Sequence, residues 1–203
     1  MGFEIKICGI TNQEDASLAA ESGATMLGFI FAKSARQVLV EEVARISTPN
    51  TVRRIGVFAD ASVADVLRAV EIAKLDGAQL HGSESREYVR ELKAEAPGLH
   101  VIKAVTFETF AADFDCDSIL LDKDKASKGP LDIARAAKLK TAKPLLIAGG
   151  FDSELVAQAI EQVHPQGVDV CSGVESAPGR KDPAKVRAFI ASAMRASQKE
   201  NQV

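Results

Sequence analysis

The chain has 203 residues, of which 46% are hydrophobic and 26% charged, a composition typical of a globular protein with its own core. The length favours one domain over residues 1–203, because no linker-like or low-complexity segment divides the sequence. The formal net charge of −3, without a dense block of Lys and Arg, excludes a typical nucleic-acid-binding protein.

The sequence predicts neither export nor membrane insertion. The first residues, MGFEIKI, contain no basic region followed by a long apolar run, and no apolar stretch approaches the roughly 20 residues of a membrane span. The cysteines Cys8, Cys116 and Cys171 are odd in number and widely spaced, which argues against a disulfide framework and a clustered zinc site. We therefore expect a cytoplasmic protein with no metal and no membrane partner.

Eight short apolar runs follow one another along the chain. They cover residues 4–8, 26–31, 54–59, 77–80, 100–105, 118–121, 144–148 and 167–171. Because these runs lack the alternation of a half-exposed sheet, they are typical of parallel strands covered on both faces.

Amphipathic segments lie between the runs. Apolar residues recur at helical spacing in three sets: Val63, Val66, Leu67 and Val70; Val156, Ala159, Ile160 and Val163; and Val186, Phe189, Ile190, Ala193 and Met194. Helix starts are predicted at the Thr11–Glu14 capping box, at Ser83, at Ser153 and at Asp182-Pro183. The polar sequence after Arg195 predicts a frayed end.

Strand and helix signals that alternate eight times predict a single-domain (β/α)₈ barrel of the TIM type. The alternative is a doubly wound open sheet, but the first run leads into Cys8-Gly9-Ile10-Thr11 and not into a G-x-G-x-x-G turn. In such barrels the chemistry lies at the C-terminal ends of the strands, so residues there are the candidates for function.

Four side chains at the ends of the first, second and fourth runs have two interpretations each. Cys8 is a base or nucleophile if its thiolate is favoured, or else a small buried hydrophobe. Arg36 grips a substrate carboxylate or is a solvated loop charge. Gln79 and His81 project to the same side of a strand, where His81 either transfers protons or is a hydrogen-bonded interior histidine.

Later runs end in residues suited to acid–base chemistry and phosphate binding. Asp122 ends an apolar run, where a carboxylate is costly unless it is functional or bonded as a cap or loop ion pair. The turns Gly149-Gly150 and Ser172-Gly173 offer backbone N–H groups, and a helix beginning near Ser153 would add to an anion site. Asp169 shares a side with Cys171, whereas Cys116 and Cys171 are predicted to be packing residues.

Five motifs, taken together, resemble the phosphoribosylanthranilate isomerase family in order and spacing. They are KICGIT (6–11), AQLHG (78–82), ILLD (119–122), IAGGF (147–151) and VDVCSGVE (168–175). The segment SAPGRKDPAKVRAFI (176–190) fits that family as well, so the resemblance spans nearly the whole chain.

The resemblance implies the Amadori rearrangement of N-(5-phosphoribosyl)anthranilate, an aminoaldose, to the corresponding aminoketose. In that family Cys8 would match the general base and Asp122 the general acid, and Arg36 would hold the anthranilate carboxylate. Asp169 would lie near the anthranilate amine, and the two glycine turns would hold the phosphate. Such a reaction transfers protons only, so neither a metal nor a redox cofactor is expected.

Two departures from the family pattern keep alternatives open. After the LLD aspartate the family usually has a Gly-Gly-Ser/Thr-Gly stretch and a Phe-Asp pair, but this chain reads DKDKASKGPLDIARAAKL (122–139), with Lys123, Lys125 and Lys128. Cys171 replaces a residue that is commonly Ser. The alternatives are a non-catalytic phosphosugar-binding paralogue and a related barrel isomerase or epimerase; monomer and homodimer are both open.

Overall fold

The computed structural model describes residues 2–110, 114–124 and 126–200. Eight parallel strands close into a barrel, in which each strand pairs with the next and the last pairs with the first. The strands are β1 (Glu4–Cys8), β2 (Met26–Ile30), β3 (Arg53–Phe58), β4 (Gly77–Leu80), β5 (His100–Val105), β6 (Ser118–Leu121), β7 (Leu145–Ile147) and β8 (Gly167–Val170). The predicted barrel is confirmed, and the open sheet is excluded.

Helices cover the outside of the barrel. They are α1 (Gln13–Ser22), α2 (Val40–Val43), α3 (Val63–Ala73), α4 (Arg86–Glu95), α5 (Ile133–Ala136), α6 (Leu155–Val163) and α7 (Pro183–Glu200). After β8 the chain forms a 3₁₀ turn (Ser172–Val174) and a short antiparallel hairpin of β9 (Glu175–Ala177) and β10 (Arg180–Lys181). Among the described residues, no helix is long and apolar enough to cross a membrane.

Two of the predicted helix starts are shifted along the chain. Asn12, not Thr11, caps α1, because its side chain accepts a hydrogen bond from the Asp15 N–H at 2.8 Å. The Thr11 hydroxyl instead donates to a carbonyl of the later hairpin. Ser85, not Ser83, caps α4. Asn12 and Ser85 both have extended backbone, as helix caps do. At each of these two helix starts the sequence contains a second residue, Thr11 or Ser83, whose side chain could also serve as a cap.

For the last two helices, one predicted cap is wrong and one is confirmed. Asp152, not Ser153, accepts hydrogen bonds from the first N–H groups of α6. Asp182 accepts from the first turn of α7, which begins at Pro183 as predicted. The predicted fraying after Arg195 is wrong, because α7 continues to Glu200 and buries Ala196.

The connection from β5 to β6 differs from the predicted repeat, because its described residues form no helix. Phe107, Phe110 and Phe114 pack against the core there and cover this part of the barrel.

The core has two layers. A small apolar cluster of Met26, Ile55, Ile102, Ala104, Leu120, Leu146 and Ala148 is separate from the larger one that the strands and helices bury between them. Alternating positions of the barrel strands also bury polar side chains, among them Lys6, Gln79, Lys103 and Asp169. Such groups are costly to bury unless they are paired, so their partners need to be identified.

Candidate active site

A cavity of about 220 Å³ lies at the C-terminal mouth of the barrel. Nine of the ten residues predicted for the site line it: Cys8, Gln79, His81, Asp122, Gly149, Gly150, Asp169, Ser172 and Gly173. Larger clefts exist elsewhere on the molecule, but this one brings together side chains from strands that are distant in sequence. The barrel closure therefore assembles the predicted site, with Arg36 at its edge.

Cys8 ends β1 and is buried beside other ionisable groups. A hydrogen bond from the Cys171 thiol lowers the pKa of Cys8 to about 7, and the Lys6 and Lys181 ammonium groups add to this effect. Burial and the Asp169 carboxylate oppose it. Near neutral pH, a substantial fraction of Cys8 is therefore thiolate, the form that can accept a proton.

Asp122 follows β6 on another side of the mouth. Burial raises the pKa of its carboxyl to about 6, and the Asp169 carboxylate adds to the rise, whereas the Lys123 N–H opposes it. That N–H donates to Asp122 Oδ1 at 2.7 Å, and His81 Nε2 lies 3.6 Å from Oδ2. A carboxyl with this pKa can stay protonated close to neutral pH and act as an acid.

Gln79 and His81 form a short chain that leads to Asp122. The Gln79 amide nitrogen lies 3.0 Å from His81 Nδ1, so the amide donates when that ring nitrogen is unprotonated. The Gln79 Oε1 atom is buried and has no hydrogen-bond partner among the described residues. Such an acceptor is suited to a substrate hydroxyl, because it is otherwise costly to bury.

Arg36 is half-buried, and its guanidinium is held by Glu175. Nε donates to Glu175 Oε1 at 2.8 Å and Nη2 donates to Oε2 at 2.6 Å. This pairing uses two of the five N–H groups of Arg36, and within the described chain no hydrogen bond occupies the other three. The free end of the guanidinium keeps the fork geometry that a carboxylate needs.

The two glycine turns after β7 and β8 meet at the mouth. Gly149 and Gly150 have φ values of 116° and 77°, in the left-handed region that favours glycine. A Cβ at Gly173 would overlap the Phe151 carbonyl oxygen. The N–H groups of Gly150 and Gly173 donate no hydrogen bond to other described residues, so both are available to an anion.

The start of α6, which the sequence predicts to add to this anion site, carries a cap of its own. The Asp152 carboxylate already accepts from the N–H groups of Glu154 and Leu155, at 3.0 and 2.9 Å. Two N–H groups at the start of this helix are therefore occupied by its own cap, whereas the Gly150 and Gly173 N–H groups of the glycine turns have no acceptor among the described residues.

The chain matches the family model described as N-(5'phosphoribosyl)anthranilate (PRA) isomerase over residues 5–192. This chain belongs to the phosphoribosylanthranilate isomerase family. The N-(5'-phosphoribosyl)anthranilate isomerase of Geotalea uraniireducens is 40% identical over 195 residues, which cover 92% of this chain and 96% of that relative.

Two solved isomerases have the same fold. One, in complex with reduced 1-(o-carboxyphenylamino)-1-deoxyribulose 5-phosphate, is 34% identical, covers 95% of this chain and 99% of its own, and has a TM-score of 0.81. The other, a monomer generated from the dimeric isomerase of Thermotoga maritima, is 36% identical, covers 95% of this chain and 99% of its own, and has a TM-score of 0.82. Both cover nearly the whole barrel.

Lys6 is a site residue that the sequence analysis missed. Its fully buried ammonium donates to Asp169 Oδ2 at 3.0 Å, and a Cβ at Gly28 would lie 2.9 Å from it and 2.8 Å from Cys8 Sγ. Burial would lower the pKa of Lys6, but Asp169 and Cys8 outweigh it and raise the pKa. A signal existed, because a charge in the middle of an apolar strand, two residues before Cys8, must face the same side.

Glu175 and Lys181 were also missed, although both lie in segments on which the resemblance rests, VDVCSGVE (168–175) and SAPGRKDPAKVRAFI (176–190). The Lys181 ammonium donates to Glu175 Oε1 at 3.0 Å and to the carbonyls of Cys8 and Cys171 at 2.6 and 3.3 Å. Burial would raise the pKa of Glu175, but Arg36 and Lys181 hold it below its ordinary value. The Glu175–Lys181 pair therefore links Arg36 to the ends of β1 and β8.

A second buried ion pair holds the segment after β4. Lys103 donates to Glu84 Oε2 at 2.7 Å and to the carbonyls of Leu80 and Gly82 at 3.2 and 2.8 Å. These contacts lie on either side of His81 in sequence. The pair therefore fixes the backbone that carries His81 toward Asp122.

The lysine-rich loop after Asp122 and the third cysteine are where this member departs from the family pattern. Lys123 lines the cavity, but its ammonium donates to the Gly129 carbonyl at 2.8 Å, and Lys125 lies outside the described residues. Cys171 is half-buried and lines the cavity beside Cys8, so its prediction as a packing residue is wrong. Cys116 is buried as predicted.

Proposed function

We infer that this chain is the enzyme that converts N-(5-phosphoribosyl)anthranilate to 1-(2-carboxyphenylamino)-1-deoxyribulose 5-phosphate in tryptophan biosynthesis. The observation that carries the assignment is the pairing of opposite pKa shifts at one barrel mouth. The pKa of the Cys8 thiol is lowered to about 7, and the pKa of the Asp122 carboxyl is raised to about 6. An isomerisation needs one group that takes a proton and one that gives a proton.

The first step is the opening of the ribose ring. Asp122 donates its proton to the ring oxygen, the bond from that oxygen to C1 breaks, and the anthranilate nitrogen forms a protonated Schiff base. His81, 3.6 Å from the carboxyl, is placed to orient Asp122 toward the substrate. Its partner Gln79 presents the buried, unpartnered Oε1 atom to a sugar hydroxyl.

The second step is the transfer of the C2 proton. The Cys8 thiolate takes this proton, and the electrons of the C–H bond move toward the Schiff-base nitrogen to give an enolamine. Tautomerisation of the enolamine gives the aminoketose. Asp169 is placed to accept a hydrogen bond from the anthranilate amine, because its buried Oδ1 atom has no partner among the described residues while Oδ2 binds Lys6.

The charged ends of the substrate find separate partners. The Arg36 fork, held by Glu175, receives the anthranilate carboxylate through its free N–H groups. The N–H groups of the Gly149-Gly150 and Ser172-Gly173 turns receive the phosphate, as loops after the seventh and eighth strands do in many barrels. The cluster of Arg36, Lys181 and Glu175 carries one net positive charge, which matches one carboxylate.

A non-catalytic phosphosugar-binding paralogue is the second candidate, and one feature favours it. In the loop after Asp122, the Lys123 ammonium binds the Gly129 carbonyl, and the Gly-rich stretch that is usual in the family is missing. A binding protein would have no reason to keep a thiol and a carboxyl with opposite pKa shifts, so the enzyme is preferred. A related isomerase acting on another phosphosugar would not need the Arg36 fork.

We further propose that the enzyme works in the cytoplasm, where a reducing environment keeps its three free cysteines as thiols. The proposed partner is the phosphosugar substrate alone. The protein is expected to be a monomer or a homodimer, and the dimeric state of the Thermotoga maritima relative makes the homodimer the first state to test.

The test is conversion of the substrate by the purified chain. We expect turnover that Cys8→Ala reduces by at least about 10²-fold, since a general base contributes that much or more. Inorganic phosphate should inhibit competitively, because it occupies the glycine turns. A folded protein that binds phosphate without turnover would overturn the enzyme and favour the paralogue. Turnover of a phosphosugar without a carboxylate, in preference to this substrate, would favour the related isomerase.

A further inference from the structure

Two of the three cysteines lie side by side at the barrel mouth. In the register of β1 and β8, Lys6 pairs with Asp169 and Ile7 with Val170, and Cys8 and Cys171 follow one residue further on. Neighbouring strands lie about 4.7–4.9 Å apart, which falls within the roughly 4.4–6.8 Å between Cα atoms that a disulfide bridges.

The side chains of these cysteines face the same side of the barrel wall. Lys6 and Asp169, two residues before each cysteine, meet in an ion pair of 3.0 Å, and side chains alternate along a strand. Both cysteines line the cavity at the barrel mouth. Lys181 binds the carbonyl oxygens of both cysteines, at 2.6 and 3.3 Å, and so holds the two strand ends together.

We propose that Cys8 and Cys171 form a dithiol that hydrogen peroxide or an organic hydroperoxide oxidises to a disulfide, and that this disulfide reversibly switches the site off. Formation of the disulfide requires only the two cysteines and the peroxide. The loss of activity rests on the proposed function, because it requires Cys8 to be the general base.

The oxidation proceeds in two steps. The Cys8 thiolate attacks one peroxide oxygen, the O–O bond breaks, and the other oxygen leaves as hydroxide, which gives a sulfenic acid on Cys8. The Cys171 sulfur then attacks the Cys8 sulfur, the S–O bond breaks, and the oxygen takes the Cys171 proton and leaves as water. In total two thiols are oxidised and one peroxide is reduced to two water molecules.

The surroundings favour Cys8 as the attacking group and Cys171 as the second. Cys8 is partly thiolate near neutral pH because its pKa is lowered to about 7, mainly by the Cys171 thiol and further by Lys6. The interaction with Cys8, together with burial, raises the pKa of Cys171, so peroxide oxidises Cys8 first, and the larger of these two causes is lost when Cys8 becomes the sulfenic acid. Both line the cavity at the mouth, which a molecule as small as hydrogen peroxide can enter.

Cys116 supplies a control within the same chain. It is buried just before β6, at the opposite end of the barrel from the mouth, and burial raises its pKa. A thiol of this kind reacts slowly with peroxide, because little thiolate is present. Cys116→Ser should therefore leave both the oxidation and the activity unchanged.

The experiment treats the reduced full-length protein with hydrogen peroxide and counts free thiols, followed by peptide mapping without reduction. We expect the wild type to fall from three thiols to one, with a single cross-linked peptide pair that joins Cys8 to Cys171. Cys116→Ser should give the same pair. Three retained thiols, a pair that includes Cys116, or links only between chains would overturn the proposal. None of these readouts depends on turnover, so they stand apart from failure of the proposed function.

A second experiment distinguishes reversible disulfide formation from irreversible oxidation of Cys8 alone. After excess peroxide, dithiothreitol should restore the wild type, whose Cys8 is protected in the disulfide. In Cys171→Ser, Cys8 should proceed to the sulfinic acid, seen as added oxygen in its peptide, and dithiothreitol should not restore turnover. Equal recovery in both proteins, or sulfinic acid on Cys8 in the wild type, would show that Cys171 gives no protection and would overturn the switch.

Discussion

Replacing Asp122 by Asn should change the shape of the pH–rate profile as well as its height. The active form needs a Cys8 thiolate and a protonated Asp122, but the base has a pKa of about 7 and the acid a pKa of about 6. Because the base has the higher pKa of the two, only a minority of chains holds both groups in the required state at any pH. The wild-type kcat/KM should rise up to pH of about 6, stay nearly level, and fall above about 7.

In Asp122→Asn the falling limb should disappear, because no acid remains to lose its proton. The rising limb then follows Cys8 alone, so its midpoint should move from about 6 to about 7, and kcat/KM should drop by about 10²–10⁴-fold. The matched control is Asp124→Asn on the same loop, whose carboxylate accepts from the Ala126 N–H and which should keep both limbs. The assay is kcat/KM of purified proteins from pH 5 to 9. A variant that retains a falling alkaline limb would refute the assignment of Asp122.

Three further perturbations test other parts of the site. Gly150→Val should raise KM for the substrate and weaken phosphate inhibition, because a β-branched residue is strained at a φ of 77°; an unchanged KM would rule out the phosphate cradle. Lys6→Met should lower the free energy of unfolding by about 3–5 kcal/mol in a urea titration, since Asp169 would remain buried without its partner, whereas Lys199→Met on an exposed pair should have little effect. A chimera with Gly-Gly-Ser-Gly in place of residues 123–128 should lower KM and its salt dependence; equal kinetics in both proteins would make the loop irrelevant.

The barrel could be predicted from sequence because its strands are buried on both faces. Such strands appear as uninterrupted apolar runs, and each predicted run agrees with the observed strand to within one residue at either end. The hairpin of β9 and β10 could not be predicted, because its residues are polar and it is held by the ion pair of Glu175 and Lys181. The helix caps were harder, because Asn12 and Thr11 are both competent and only the tertiary contacts of Thr11 decide between them.

Some residues of the candidate site could likewise be predicted from the sequence, and others could not. Cys8 and Asp122 could be proposed because Cys8 ends a strand and Asp122 directly follows one, at the end where barrels place their chemistry. Glu175 could not, because its contact with Arg36 joins residues 139 positions apart and depends on how the two loops fold. The sequence predicts a packing role for Cys171, because sequence alone does not reveal that the paired ends of β1 and β8 bring this thiol to the same cavity as Cys8.

The central claim, that this chain is a phosphoribosylanthranilate isomerase with Cys8 as base and Asp122 as acid, is tested most directly by complementation. A tryptophan auxotroph that lacks this isomerase should grow without tryptophan when it expresses the wild-type chain. It should fail to grow, or grow far more slowly, with Cys8→Ala or Asp122→Asn at equal levels of folded protein. Absence of growth with folded wild-type protein would contradict the assigned function. Full growth with either variant would contradict the assigned roles.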